Sequence, residues 1–203
     1  MIKYRKKKSI DWKCLTDFFF EVGMLKKTPR TGYQFLGSGK ENVAEHSFRT
    51  AVMGFVLAAI NGADRYKTML MCLFHDMHEA RTGDFNYVNR MYNASNQKQA
   101  LNDCLAGTGI GSEVSELFEE LEDAASLEAK LAQDADQLDF MFELKEQLDS
   151  GNGAAAKWLD CAMERLRTES GKNLGRQVLN THSSEWWFNL ADHNWWTKGN
   201  GRK

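Results

Sequence analysis

The chain has 203 residues, which suits one domain or one domain with an appended tail. At 42% hydrophobic and 27% charged it has an ordinary globular composition with enough apolar mass for a core. A formal net charge of -2 carries no general nucleic-acid signature, so no nucleic-acid partner is expected. One basic run, KYRKKK at residues 3–8, reads as a solvated N-terminal arm. The four cysteines, Cys14, Cys72, Cys104 and Cys161, lie far apart and show no CxxC spacing. That pattern indicates neither a zinc knuckle nor a disulfide scaffold. No signal peptide is visible and no apolar run reaches transmembrane length, so a reduced, cytoplasmic protein without a membrane is expected.

The single proline, Pro29, points to the class. Helix interiors exclude proline, and a chain nearly without it can be helical almost throughout. A first helix is predicted over roughly 9–25, with Trp12, Leu15, Phe19 and Val22 at helical spacing. KKTPRTGYQFLGSGK, residues 26–40, then reads as a long loop. Asn42 caps a second helix whose apolar positions include Phe48, Val52, Phe55 and Ala59, and Asn61-Gly62 stops it. A third helix, roughly 63–82, carries Met69, Leu70, Cys72 and Leu73 and ends at Gly83. Residues 84–95 read as a loop. Shorter helices follow near 96–106 and 112–122, separated by GTGIG. Ser126 opens a long helix to about 149 carrying Leu131, Leu138, Met141 and Leu144, and SGNG ends it. A seventh helix spans about 153–168, and the tail holds Trp186, Trp187, Trp195 and Trp196. No strand pattern and no internal repeat is visible, so an all-α globule of about seven to nine helices is expected.

The third helix ends in CLFHDMHEARTGD, residues 72–84, which sets five acid, base or ligand groups beside Leu73 and Phe74. Charge there is costly unless partners exist. Suitable partners are present. His46 lies early in the second helix, within ENVAEHS, and Asp134 and Asp136 lie on the long helix, within KLAQDADQLDF. A divalent ion needs several N or O ligands converging from separate elements. The adjacent His75-Asp76 pair therefore needs two further helices to close a site, and the second and sixth each offer a group.

The order of His46, then His75-Asp76, then Asp136 resembles the HD-domain metal-dependent phosphohydrolases. The words ENVAEHS, FHDMHEARTGD and DADQLD, with PRTGY before them, are similar to the branch that includes 5′-deoxynucleotidases. The likeness covers roughly residues 10–150 and implies an HD-domain helical core over 1–170, with a Trp-rich C-terminal extension over 171–203. It implies that His46, His75, Asp76 and Asp136 ligate one divalent transition metal ion, whether Mn, Co, Fe, Ni or Zn. Asp136 is taken before Asp134, which is expected to be solvated or capping. Glu79 matches the general acid/base, Asp84 the acid of the GD word, and Arg30 a phosphate-contacting arginine.

The residue chemistry is compatible with this assignment. Glu79 stands four residues after His75, on one face of a continuous helix, near the ligands without being one. Arg30 offers a planar fork for a phosphate. Asp84 is placed to orient Arg30, a sugar hydroxyl or a group behind the ligands. His78 is assigned a structural role or one behind the ligands, and His182 and His193 none. GDFNYVNRMY lacks the proline that the branch often carries after GD, and this loop is expected to shape the substrate pocket. The implied activity is phosphate removal from small nucleoside 5′-monophosphates, with deoxynucleotides first. Monophosphates are expected to be preferred over triphosphates, since Arg30 is the one clear phosphate contact and Arg81 and Arg90 have blander roles. A non-catalytic nucleotide-binding regulatory module, or a hydrolase of triphosphates or phosphodiesters, is the alternative. The tryptophans are expected to pack a C-terminal helix onto the bundle or a subunit interface, which leaves room for a homodimer.

Overall fold

Side-chain caps set most helix starts in the computed structural model, which describes residues 11–191 and 193–198. The basic run at 3–8 and the start of the expected first helix lie outside the described residues. Asp11 accepts from the Lys13 and Cys14 amides and opens α1 (Trp12–Val22), which a 3₁₀ turn extends over Gly23–Lys26. Asn42 forms a capping box with Glu45 and opens α3 (Val43–Asn61), after the single-turn α2 (Tyr33–Leu36). Gly62, at φ 70°, closes α3 in the left-handed conformation. Asp64 caps α4 (Arg65–Phe74), which is followed by α5 (Glu79–Thr82) and α6 (Tyr87–Tyr92). Asn96 caps α7 (Gln97–Leu105), α8 runs over Gly111–Asp123, and Ser126 caps α9 (Leu127–Asp149). Then come α10 (Ala155–Arg165), α11 (Glu169–Asn180), α12 (Glu185–Phe188) and α13 (His193–Lys198). Among the described residues there is no strand, and eight of these helices have nine residues or more, as the all-α expectation required.

Helix α9 is the axis of the bundle. It packs against α3, α4, α8, α10 and α11. Its Leu131, Leu138, Met141 and Leu144 are fully buried, each contributing about 1.5–3 kcal/mol by leaving water. A second cluster gathers Phe18, Leu25, Leu101, Leu105 and Val114 beneath α1, α7 and α8.

Four local expectations are corrected by the tertiary structure. The third helix is not continuous over 63–82. Helix α4 ends at Phe74, and the chain turns through 75–78 on three-residue hydrogen bonds such as Glu79 N to Asp76 O, 2.9 Å. Both flanking loops hold short helices, α2 and α6. Helix α1 buries Phe18 while Trp12 and Phe19 face outward. Helix α3 buries His46, Thr50, Gly54 and Leu57 and exposes Phe48, Val52, Val56 and Ile60. The physical reason is rotation about the helix axis. His46 must point inward, and the ridge at four-residue spacing is carried outward. By length and composition α3 could cross a membrane, but it is a core helix here, with His46 and Arg49 in the buried polar centre.

Asp134 is also not solvated. It is fully buried and accepts from the Arg167 amide at 2.7 Å and the Thr168 amide at 2.9 Å, anchoring the start of α11. Gly171 leaves the room, since a Cβ there would lie 2.2 Å from Asp134 Oδ2. In the tail, Phe188 stacks on Trp196 at 5.1 Å and Trp187 meets Trp196 at 5.7 Å, while Trp186 is largely exposed. The Asp149 carboxylate accepts from the Ser183 amide at 2.7 Å and ties this segment to the end of α9.

Candidate active site

Three segments bring four ligand-type atoms together. His46 Nε2 comes from α3, His75 Nε2 and Asp76 Oδ2 from the turn after α4, and Asp136 Oδ1 from α9. His46 Nε2 lies 3.2 Å from His75 Nε2, 3.1 Å from Asp136 Oδ1 and 3.6 Å from Asp76 Oδ2. His75 Nε2 lies 3.1 Å from Asp76 Oδ2 and 3.8 Å from Asp136 Oδ1. Ligands at about 2.1 Å from one ion and at right angles stand about 3 Å apart, so the spacing of His46, His75 and Asp136 suits one divalent ion, with Asp76 standing against both imidazoles.

The imidazoles are aimed from behind. His46 Nδ1 meets Asp139 Oδ2 at 2.6 Å, and His75 Nδ1 meets the Cys72 carbonyl at 2.7 Å. A carboxylate or carbonyl there holds the proton on Nδ1 and leaves the Nε2 lone pair for the ion. The second contact also explains the break in the helix. Cys72 O is the acceptor that an extended α4 would assign to the Asp76 amide. Asp139 in turn accepts from Arg49 Nε, and Arg49 also pairs with Glu143. Gln137 Nε2 donates to Asp136 Oδ2 at 2.9 Å, leaving Oδ1 to face the histidines.

The electrostatics follow from this crowding. Burial opposes charge on His75, but Asp76 and Asp136 outweigh it and hold its pKa well above the ordinary value. Burial raises Asp136, yet its hydrogen bonds to His46 and His75 hold it well below the usual carboxylate range. The acids and the imidazoles thus favour each other's charged forms, and the carboxylates that favour protons on the imidazoles would equally favour a divalent cation in their place.

Glu79 opens α5 and is buried, and its Oε2 has no hydrogen-bond partner. Burial, then Asp76 and Asp84, push its carboxyl up to about 9. The placement of Glu79 comes from the turn and the start of α5, not from one face of a continuous helix. Arg30 Nη1 donates to Asp76 Oδ2 at 3.2 Å. The loop reaches this point because Pro29 forms a β-bridge with Asn42, with Arg30 N on Glu41 O at 2.9 Å. Asp84 Oδ2 accepts from the Thr31 amide at 2.7 Å, and the Asp84 carbonyl accepts from Thr31 Oγ1 at 3.0 Å. His78 is buried, edge-on to Phe118 at 5.9 Å, with Nδ1 3.2 Å from Thr82 Oγ1.

Two chambers meet at Asp76 and Asp136. One, of about 140 Å³, is lined by Arg30, Asp84, Tyr33, Phe140 and Trp158, and Arg90 and Arg165 border it as well as the other. The other, of about 570 Å³, is lined by His75, His78, Arg90, Gln97, Arg165 and Arg167. Arg81 is not at either chamber but forks onto Glu21. Sequence reasoning missed Asp139, Trp158, Arg165 and Arg167. Asp139 was legible as the last letter of DADQLD, one turn after Asp136. The others had no local signal.

Asp139→Ala removes the support for His46 Nδ1 and leaves all four converging atoms in place. Divalent-metal affinity is expected to fall about 10- to 100-fold, read by competition with a chromophoric chelator.

Comparison with known proteins places the chain in a family. The model of the HD domain family matches residues 22–178. A 5′-deoxynucleotidase HDDC2 from Bos taurus is 31% identical over 144 residues, covering 68% of this chain and 70% of that protein. The same-named protein from Danio rerio is 29% identical over 138 residues, covering 65% of this chain and 68% of that one. Among solved structures, a conserved hypothetical protein from Pyrococcus furiosus superposes with a TM-score of 0.67 at 28% identity, covering 82% of this chain and 99% of that one. With the family match spanning most of the chain over the segments that build the centre, the protein belongs to the HD domain family.

Proposed function

We propose that the chain is a metal-dependent phosphohydrolase that removes phosphate from nucleoside 5′-monophosphates, with deoxynucleotides as the preferred class. The observation that carries this reading is the convergence of His46, His75, Asp76 and Asp136, together with a buried Glu79 whose Oε2 has no hydrogen-bond partner and whose carboxyl feels the charges of Asp76, Asp84, Arg30 and His75. The relatives named 5′-deoxynucleotidase support the substrate class. His46, His75, Asp76 and Asp136 hold one divalent ion, with two nitrogen and two oxygen donors suited to Mn, Co, Fe, Ni or Zn. When bound, such an ion activates water and neutralises charge developing on phosphorus.

The protein's own groups do the rest. Arg30 grips a phosphate oxygen from the mouth of the smaller chamber. Glu79 takes or gives a proton at Oε2 as water attacks and the nucleoside 5′-oxygen leaves. Asp84 fixes the Arg30-Thr31 loop against the chain that follows the His-Asp turn. It thereby sets the height of Arg30 over the centre. The four cysteines are free, which accords with a reduced, cytoplasmic setting. A homodimer is proposed on the exposed α3 ridge of Phe48, Val52, Val56 and Ile60, because a contiguous apolar ridge favours burial against a second copy.

The second chamber supports one further reading. Arg90, Arg165 and Arg167 supply more positive charge than Arg30 alone, so charge by itself does not bar a polyphosphate. A triphosphate with its first phosphorus at the centre would run its outer phosphates toward these arginines.

Three outcomes are expected. In a nucleotide panel with Mn²⁺ and with a chelator control, deoxynucleoside 5′-monophosphates give the highest kcat/KM, and the chelator abolishes turnover. A higher kcat/KM for the triphosphate, with tripolyphosphate released, establishes the second reading instead. Glu79→Gln retains the ion by elemental analysis but loses about 10²-fold or more in kcat. Joint loss of ion and turnover would make Glu79 a ligand. Val52→Glu shifts the mass measured by light scattering from dimer to monomer, and an unaltered dimer removes the α3 ridge from the interface.

A further inference from the structure

We propose that Trp158 is the platform on which the nucleobase stacks, which makes the aromatic lining of the smaller chamber a base subsite. The inference rests on the nucleotidase reading and adds the part of the site that recognises the nucleoside. The chamber carries two kinds of lining. Charged groups, among them Asp76, Asp136, Arg30 and Arg165, border it, and so do Tyr33, Leu36, Phe140 and Trp158. Such a cavity fits a ligand with an anion at one end and a flat π-face at the other. Phe140, whose ring lies 6.0 Å from that of Trp158, follows Asp136 by one turn of α9, about 6 Å along the axis. That is comparable to the sugar that separates a 5′-phosphate from its base.

Trp158 is also held as a platform should be. Its ring is braced by Phe140 at 6.0 Å, Tyr87 at 6.1 Å and Phe35 at 6.5 Å. Tyr87 is itself fixed from the same helix as Trp158. Arg165 donates from Nη1 to the Tyr87 hydroxyl, and its guanidinium lies 5.0 Å from the Tyr87 ring centroid. The ring therefore has little freedom to lose when a base stacks on it, and a preorganised surface binds at lower entropic cost. Stacking tolerates any base, so the subsite recognises a nucleoside without choosing among bases.

The test uses Trp158→Leu, with Trp158→Phe as the conservative variant, in the full chain supplied with Mn²⁺. The two substrates are 2′-deoxyadenosine 5′-monophosphate and the base-free 2-deoxyribose 5-phosphate. The ratio of their kcat/KM values is expected to fall about tenfold in Trp158→Leu, through KM of the nucleotide, and to recover largely in Trp158→Phe. An unchanged ratio overturns the proposal, as does a wild-type chain that treats both substrates alike. Titration calorimetry with free 2′-deoxyadenosine reads the subsite without turnover. Weaker binding to Trp158→Leu than to the wild type supports it, and equal or absent binding overturns it. Trp158-dependent nucleoside binding in a chain that hydrolyses neither substrate would keep the subsite and sink the nucleotidase reading.

Discussion

The contact between His46 Nδ1 and Asp139 Oδ2 organises the centre of this molecule. Both side chains are completely buried, one on α3 and the other on α9, the two long helices of the bundle. A buried carboxylate without partners would be costly, and Asp139 is satisfied from both sides, by His46 and by Arg49. Arg49 carries the network outward to Glu143, and Tyr33 donates to the same carboxylate. The loop that holds Arg30 is therefore tied, through Tyr33, to the helix that holds Asp136. One buried polar chain sets the spacing of α3, α9 and the loop together.

That constraint explains the rotation of α3. With His46 directed at Asp139 and at the centre, Thr50, Gly54 and Leu57 must face inward as well. Gly54 allows the close approach to α4, because a Cβ there would lie 2.5 Å from Cys72 Sγ. The apolar ridge of Phe48, Val52, Val56 and Ile60 is left outside. Local hydrophobicity would place that ridge in the core, but buried polar pairing is the stronger demand, since unpaired buried charge costs more than an exposed valine or isoleucine.

The same economy shapes the His-Asp segment. Leaving the α-helix at Phe74 gives up helical hydrogen bonds over 75–78 and replaces them with tighter turn bonds. In return His75 and Asp76, adjacent in sequence, both reach the centre, and Glu79 starts a new turn in a buried position. In a continuous helix neighbouring side chains diverge by about 100°. The two chambers share Asp76, Asp136, Gln137, Arg90 and Arg165; the smaller adds Tyr33, Phe140 and Trp158, and the larger adds His78, Gln97 and Arg167.

The helical class, the capped starts of the long helices α3, α7 and α9, and the residue types of the centre are legible in the sequence. Caps such as Asn42 with Glu45, and Ser126, act within one turn, so they are readable locally. His46, His75, Asp76 and Asp136, whose side chains the structure brings together, are legible as a group because few residue types can ligate and because the words around them are specific. Tertiary structure alone decided which way α1 and α3 face, where the third helix breaks, and that Asp134 is a buried anchor for α11. It also decided which residues complete the chambers. Trp158 and Arg165 come from α10, and Tyr87 from the start of α6 more than seventy residues earlier, and no periodicity links them. Their meeting depends on how α10 packs against α9, a long-range contact whose energy comes from burial and not from any local pattern.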